Sequence, residues 1–196
     1  ASAGAILSDN DRVLFTGYYE PIMEGSLTRE DDYIYPLYPE PSDMVSVDLS
    51  AFSDRFDGEP RLTARVNAKN KVVPYFSRAE INEHPDYETK AEPIAWLNSR
   101  TDRFFLEIQG SGRVILKQGG FMRVHYHRKN GHPYRSVGRY LIDMGEISKE
   151  EMSMQAIRTW LDNNPDRMDE VFHYNPSFVF FKTEQGGPFG SIGVEV

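Results

Sequence analysis

The chain has 196 residues, with 22 lysines and arginines against 30 aspartates and glutamates, a formal charge of −8 at pH 7, and no cysteine. That length supports one sizeable domain or two small ones without covalent staples, and the missing thiol excludes disulfide scaffolds, zinc–thiolate and iron–sulfur sites and cysteine nucleophiles. The acidic balance argues against a nucleic-acid partner, and no apolar run approaches the roughly 20 residues of a membrane span.

The opening ASAGAILSDNDR lacks the charged and apolar regions of a signal peptide. Arg12 to Tyr19 (RVLFTGYY) reads as a strand in which Gly17 marks a bulge or a close backbone approach, and Pro21 ends it. Tyr33 to Pro41 (YIYPLYPEP) is either an edge strand or a polyproline-like loop. Leu62 to Asn67 alternates weakly, as a strand does. Ser77 and Glu80 have capping-box spacing for a helix ending near His84-Pro85. Pro93 to Ser99 (PIAWLNS) reads as a short helix with proline in its first turn.

Phe104–Gln109 (FFLEIQ), Arg113–Lys117 (RVILK) and Phe121–Tyr126 predict three strands of a β-meander, the first two joined by Gly110-Ser111-Gly112. The last third turns helical. Tyr134 to Met144 is stopped by Gly145, and Met152 to Leu161 follows a Ser148/Glu151 capping box. Asn164-Pro165 opens a third helix running to about His173. Ser177 to Lys182 (SFVFFK) is an apolar strand, and the glycine-rich tail runs into another that suggests further chain beyond it.

Aromatic residues make up 13% of the chain, with 11 Tyr and 12 Phe. Tyrosine faces suit sugars or peptides, but a β-rich core built on aromatic strands accounts for the same count, and composition favours the core. His125-Tyr126-His127, with His132 nearby, has the raw material for a metal site. No acid in that segment would complete or orient it, so no metal is expected. Glu107 stands in an apolar stretch and is either a carboxylate on a solvated strand face or an acid with a raised pKa; without an obvious second acid the solvated face is favoured. Gln109-Gly110-Ser111-Gly112 lacks the lysine and helix start of a phosphate loop, and Ser111 lacks the context of a nucleophile elbow. What remains is polar and aromatic: Thr16-Gly17-Tyr18-Tyr19, Gln109 to Gly112, Tyr126, and Asn130 to Arg135. Amides, hydroxyls and tyrosine rings of this kind point to a saccharide.

Four motifs carry a resemblance: FTGYYEP (Phe15–Pro21), YFSRAEI (Tyr75–Ile81), FFLEIQGSGRV (Phe104–Val114) and KNGHPYRSVG (Lys129–Gly138). With LIDMGEIS, MSMQAIRTWL and NPSFVFFK after them, they stand in the order of the membrane-bound lytic murein transglycosylase A family, which the chain resembles from about residue 13 to 193. The resemblance implies cleavage of the β-1,4 bond between N-acetylmuramic acid and N-acetylglucosamine without water, leaving a 1,6-anhydromuramoyl end, with no cofactor and no metal. It implies a mainly β fold with some α. Residues 20–180 would be a β-rich inserted domain lining the substrate groove, residues 1–19 the N-terminal stub of a double-psi β-barrel, and residues 181–196 the start of its returning segment.

The family's catalytic aspartate belongs to that returning segment and is expected beyond Val196; Asp143, Asp162, Asp166 and Asp169 fall on helices or their connections. The expected substrate-binding residues are Thr16, Gly17, Tyr18, Tyr19, Gln109, Gly110, Ser111, Gly112, Tyr126, Asn130, Tyr134 and Lys182. The implied partners are peptidoglycan glycan strands and other murein-remodelling proteins. The expected form is a periplasmic monomer, any outer-membrane association running through a lipid anchor absent from this chain. A non-catalytic saccharide-binding module is the competing reading.

Overall fold

The computed structural model describes the backbone of residues 3–7 and 13–17, and residues 20–183 in full. β1 (Ala3–Leu7) and β2 (Val13–Gly17) pair antiparallel, with Ala3 opposite Gly17 and Gly4 opposite Thr16. Tyr18, Tyr19 and the glycine-rich tail lie outside the described residues.

The centre of the domain is a six-stranded sheet built from β3 (Ile22–Ser26), β4 (Tyr35–Leu37), β8 (Ala95–Leu97), β9 (Ser111–Leu116), β10 (Phe121–Lys129) and β11 (Val179–Thr183), in the order β11-β10-β9-β3-β8-β4. β3 and β9 run parallel and the other neighbours antiparallel. The two edges nearly meet, since the Phe181 amide of β11 donates to the Tyr38 carbonyl just past β4 at 2.8 Å. Every strand of this sheet turns side chains into one core: Met23, Leu37, Ala95, Leu97, Val114, Val124 and Phe181 are all buried together. The sheet is therefore a near-closed barrel. Pro36 sits on the terminal strand β4, where its missing N–H interrupts no ladder on the outer side. A satellite sheet of β5 (Val45–Val47), β6 (Leu62–Val66) and β7 (Val72–Pro74) lies beside it in sequence order.

Among the described residues, five α-helices complete the domain: α1 (Arg78–Glu83), α2 (Arg100–Gln109), α3 (Val137–Asp143), α4 (Met154–Asn163) and α5 (Met168–Tyr174). α1 carries the expected capping box, with both the Ser77 and the Glu80 bonds formed. α2 is the hinge of the packing. Leu106 enters the barrel core, while Phe104 and Phe105 join Val137, Leu141, Trp160, Leu161 and Phe172 in a helical core. A third, largely aromatic core holds Tyr38, Tyr75, Tyr87, Phe178 and Phe180. Three of the tyrosines are thus core.

Several expected elements are corrected. Phe104–Gln109 belongs to helix α2, so the anticipated meander is reduced to the β9–β10 hairpin. Ser99 caps that helix by accepting from Asp102 N at 3.1 Å. Pro93–Ser99 contains strand β8, all three residues buried between β3 and β4, where neighbours outweigh local propensity. Ser148 and Glu151 do bond to each other, but the helix begins later, at Met154, capped by Ser153. The result is a mixed β/α domain.

Candidate functional site

The chain segment with the most unexplained polarity in the sequence, Gln109 to Gly112, lies where α2 turns into β9. Gly110 takes φ +82° as the helix stop, and its N–H donates to Leu106 O at 2.7 Å. Gly112 permits close packing, because a Cβ there would fall 2.6 Å from Met23 Cε and 2.8 Å from Leu106 Cδ1. Both glycines therefore have conformational or packing reasons to be glycine, and the turn joins a helix to a strand where two strands were expected. Gln109 stays exposed at the helix end.

Strand register assembles neighbours around this turn. Ser111 stands opposite His125, and His125 opposite Lys182, three residues abreast across β9, β10 and β11. Val124 fills the barrel core, so His125 points to its outer face. Tyr126 donates its N–H to Gly110 O at 2.5 Å and is 47% exposed. The next rung pairs Arg113 with Arg123, and the Glu20 carboxylate bridges them at 2.7 Å and 3.3 Å. The sequence reading missed this Glu20–Arg113–Arg123 cluster; the two arginines at alternating positions on either side of the Lys117–Gly120 turn were its available signal. Pro21 O accepts from Arg113 N at 2.9 Å, which brings the chain leaving β2 onto the same face.

A cleft of about 470 Å³ opens beside Gln109, lined also by Ile22, Asp102, Gln155 and Arg158. Arg158 pairs with Asp102 at 2.5 Å and lies 4.5 Å from the Phe105 ring centroid. An adjoining hollow of about 420 Å³ shares Phe105 and Met154 with it and reaches the half-exposed Tyr134. Gln109 lines this cleft and Tyr134 the adjoining hollow, whereas Ser111, Tyr126 and Lys182 are brought beside the Gly110 turn by strand register and line neither. Such a groove offers amides, a hydroxyl, guanidiniums and aromatic faces to a neutral, hydroxyl-rich ligand.

Asn130 has a different role. It is 1% exposed; its amide donates to Phe76 O at 2.9 Å and Pro176 O at 2.8 Å, and its oxygen accepts from Phe178 N at 2.9 Å. It ties three chain segments together and is unavailable to a ligand. Asn130→Ala should cost about 1–3 kcal/mol by stranding buried partners, read as a lower urea midpoint at unchanged slope.

Glu107 is corrected as well. Its side chain is 1% exposed, 2.5 Å from Arg78 Nη1 and 3.3 Å from Arg103 Nε, so it is neither on a solvated face nor within reach of a substrate. Among the histidines, His132 Nε2 meets Tyr75 O at 2.7 Å and His127 Nε2 meets Glu40 at 2.9 Å. Among the described residues no three or more histidines and acids gather as a metal site would require.

A helix-backed, near-closed barrel with an open polar groove at one helix end is the class of domain these features define. The chain belongs to the family of the MltA specific insert domain, whose model matches residues 14–182. It is 36% identical over 178 residues to the membrane-bound lytic murein transglycosylase A of Escherichia coli K12, covering 90% of this chain and 40% of that protein. It is 30% identical over 185 residues to the homologue of Buchnera aphidicola, covering 93% and 43%. The chain therefore spans about 40% of the length of these curated relatives. Among solved structures, it resembles the membrane-bound lytic murein transglycosylase of Agrobacterium tumefaciens with a TM-score of 0.79 at 32% identity, over 92% of this chain and 50% of that one. E. coli MltA with bound chitohexaose gives 0.69 at 34% identity, over 92% and 46%.

Proposed function

We infer that this domain supplies the glycan-holding wall of a peptidoglycan lytic transglycosylase. The observation that carries the reading is the family match over residues 14–182, supported by the likeness to a relative that holds chitohexaose. In the reaction, an acid protonates the glycosidic oxygen as the bond from N-acetylmuramic acid to N-acetylglucosamine breaks. The same group, now a base, takes the proton of the muramoyl 6-hydroxyl as that oxygen attacks the anomeric carbon, giving the 1,6-anhydro end. No water enters. Glu107 is closed off between two arginines, and the reading places the acid in the returning segment of the double-psi barrel, as the family resemblance implies.

In this reading residues 20–180 are the inserted domain, and residues 1–19 and 181–196 belong to the double-psi barrel. Thr16, Gly17, Tyr18 and Tyr19 line the junction. Gln109, Ser111 and Lys182 hydrogen-bond acetamido and hydroxyl groups, the backbone at Gly110 and Gly112 supports them, and Tyr126 stacks on a sugar ring. The setting is periplasmic, with the protein acting as a monomer alongside other murein-remodelling proteins. Among the described residues no helix is long and apolar enough to cross a membrane.

Mass spectrometry of products from purified murein sacculi tests the reading. Retention of glycan with no soluble anhydromuropeptides fits a binding wall; anhydromuropeptides would place the acid within these 196 residues. Absence of both retention and products would overturn the reading. Gln109→Ala and Tyr126→Ala should each weaken chitohexaose binding about fivefold, on the order of 1 kcal/mol per lost contact. Titration calorimetry reads that change, and unchanged affinity in both variants would remove these residues from the site.

A further inference from the structure

At the opposite end of α2 from Gln109, a second cleft of about 310 Å³ opens where the first turns of that helix meet α1, β4 and β8. It is lined by two buried donors. Arg103 is 7% exposed; its Nε faces Glu107 and its Nη2 donates to Asn82 Oδ1, while its Nη1 has no protein partner among the described residues. Tyr38 is 6% exposed, and its hydroxyl likewise has no protein partner among the described residues. Burial pushes that phenol up to about 12, so it is a donor at neutral pH. Its ring is held edge-on by Tyr87 at 4.9 Å between centroids.

The charge behind the cleft is unbalanced. Arg103 and Arg78 share the single Glu107 carboxylate, so two buried guanidiniums face one anion. Arg29 and Arg100 also line the cleft, each with an acidic partner, Arg29 with Glu88 at 3.9 Å and Arg100 with Asp169, and Arg29 lies 5.5 Å from the Trp96 ring centroid. The remaining Arg103 N–H and the Tyr38 O–H both face the cleft, and a charged guanidinium N–H with a phenol O–H offers a carboxylate one donor for each oxygen. The indole of Trp96 provides an apolar wall for the organic part of a ligand. Glu88, also in the lining, opposes a doubly charged phosphate more than a singly charged carboxylate.

We propose that this cleft binds the carboxylate of a peptide, with Arg103 and Tyr38 as direct donors and Arg29 and Arg100 drawing it in. The peptide is the stem peptide carried by murein. Its identity rests on the functional reading above, whereas the carboxylate chemistry rests on the cleft alone.

Calorimetric titration with a murein stem tetrapeptide, the same peptide amidated at its carboxyl groups, inorganic phosphate and chitohexaose tests this. The unmodified chain should bind the tetrapeptide. Amidation and Tyr38→Phe should each weaken that binding about tenfold, as expected for losing a hydrogen bond to a charged group. Tyr38→Phe keeps the ring and removes only an oxygen without a protein partner, so the fold is retained and chitohexaose binding is unchanged. Arg29→Gln, at an exposed position, should weaken the peptide severalfold. The proposal is overturned if the tetrapeptide fails to bind, if amidation or Tyr38→Phe leaves its affinity unchanged, or if only phosphate binds. Chitohexaose binding without peptide binding would sink this inference alone. Peptide binding sensitive to Tyr38→Phe, with no glycan binding, would keep the carboxylate cleft and remove the glycan-wall reading.

Discussion

Glu107→Ala should lower the unfolding free energy by about 3–5 kcal/mol, the cost of leaving buried charge without its partner. The side chains of Arg78 and Arg103 are 3% and 8% exposed, and Glu107 is the anion between them. Arg78 is fixed further, its Nε donating to Asn175 O at 3.0 Å and its Nη2 to Ser177 O at 2.6 Å. Its guanidinium also lies 4.8 Å from the Phe104 ring centroid and 5.3 Å from that of Phe178. Arg78 cannot swing to water without dismantling the junction of α1, α2 and the segment entering β11, and Arg103 is held in place by Asn82. Chemical denaturation checks the value. A Glu107 variant with wild-type stability but no activity would instead mark a catalytic acid and refute the structural role assigned to it.

Leu106→Ala, one residue away, should cost about 2–5 kcal/mol through a different mechanism, the loss of apolar burial plus a residual cavity. Leu106 is 1% exposed and is the side chain through which α2 joins the seven buried strand residues of the barrel core. The barrel wall is hydrogen-bonded nearly all the way round and collapses little into the vacancy, which favours the upper part of the range. The Gly112 backbone, packed against Leu106 Cδ1, is equally constrained. Thermal and urea unfolding should show the loss, with glycan binding by the folded fraction retained. A cost under about 1 kcal/mol would mean that α2 does not anchor the barrel.

These adjacent residues sit in a segment that carries two competing patterns. As a strand, FFLEIQ sends Leu106 and Ile108 one way and Phe105, Glu107 and Gln109 the other. As a helix it sends Leu106 to the barrel, Phe104 and Phe105 to the helical core, Glu107 to the arginines and Gln109 to the groove. Aromatic and β-branched residues favour a strand locally. Ser99 at the N-cap and Gly110 at the stop were the opposing signals, and six residues were too short a window for period 3.6 to prevail over period 2. β8 shows the opposite case: three residues carry no period, and only pairing with β3 and β4 makes them a strand.

What the sequence determined by itself was whatever is encoded over short spans or in whole motifs. The α1 capping box, the β9–β10 hairpin and the Gly145 stop after α3 rest on contacts close in the chain, and the strand at Ser177–Lys182 on an unbroken apolar run. The family was legible too, because its motifs are long and ordered. Only the tertiary structure decided which polar residues are free to act. Asn130 and Gln109 are both side-chain amides directly followed by a glycine. One is consumed by Phe76, Pro176 and Phe178, up to 54 positions away, and the other faces solvent. Glu107 was likewise settled by Arg78, on another helix. Burial and hydrogen-bond satisfaction are set by partners distant in the chain, and no local pattern carries that information.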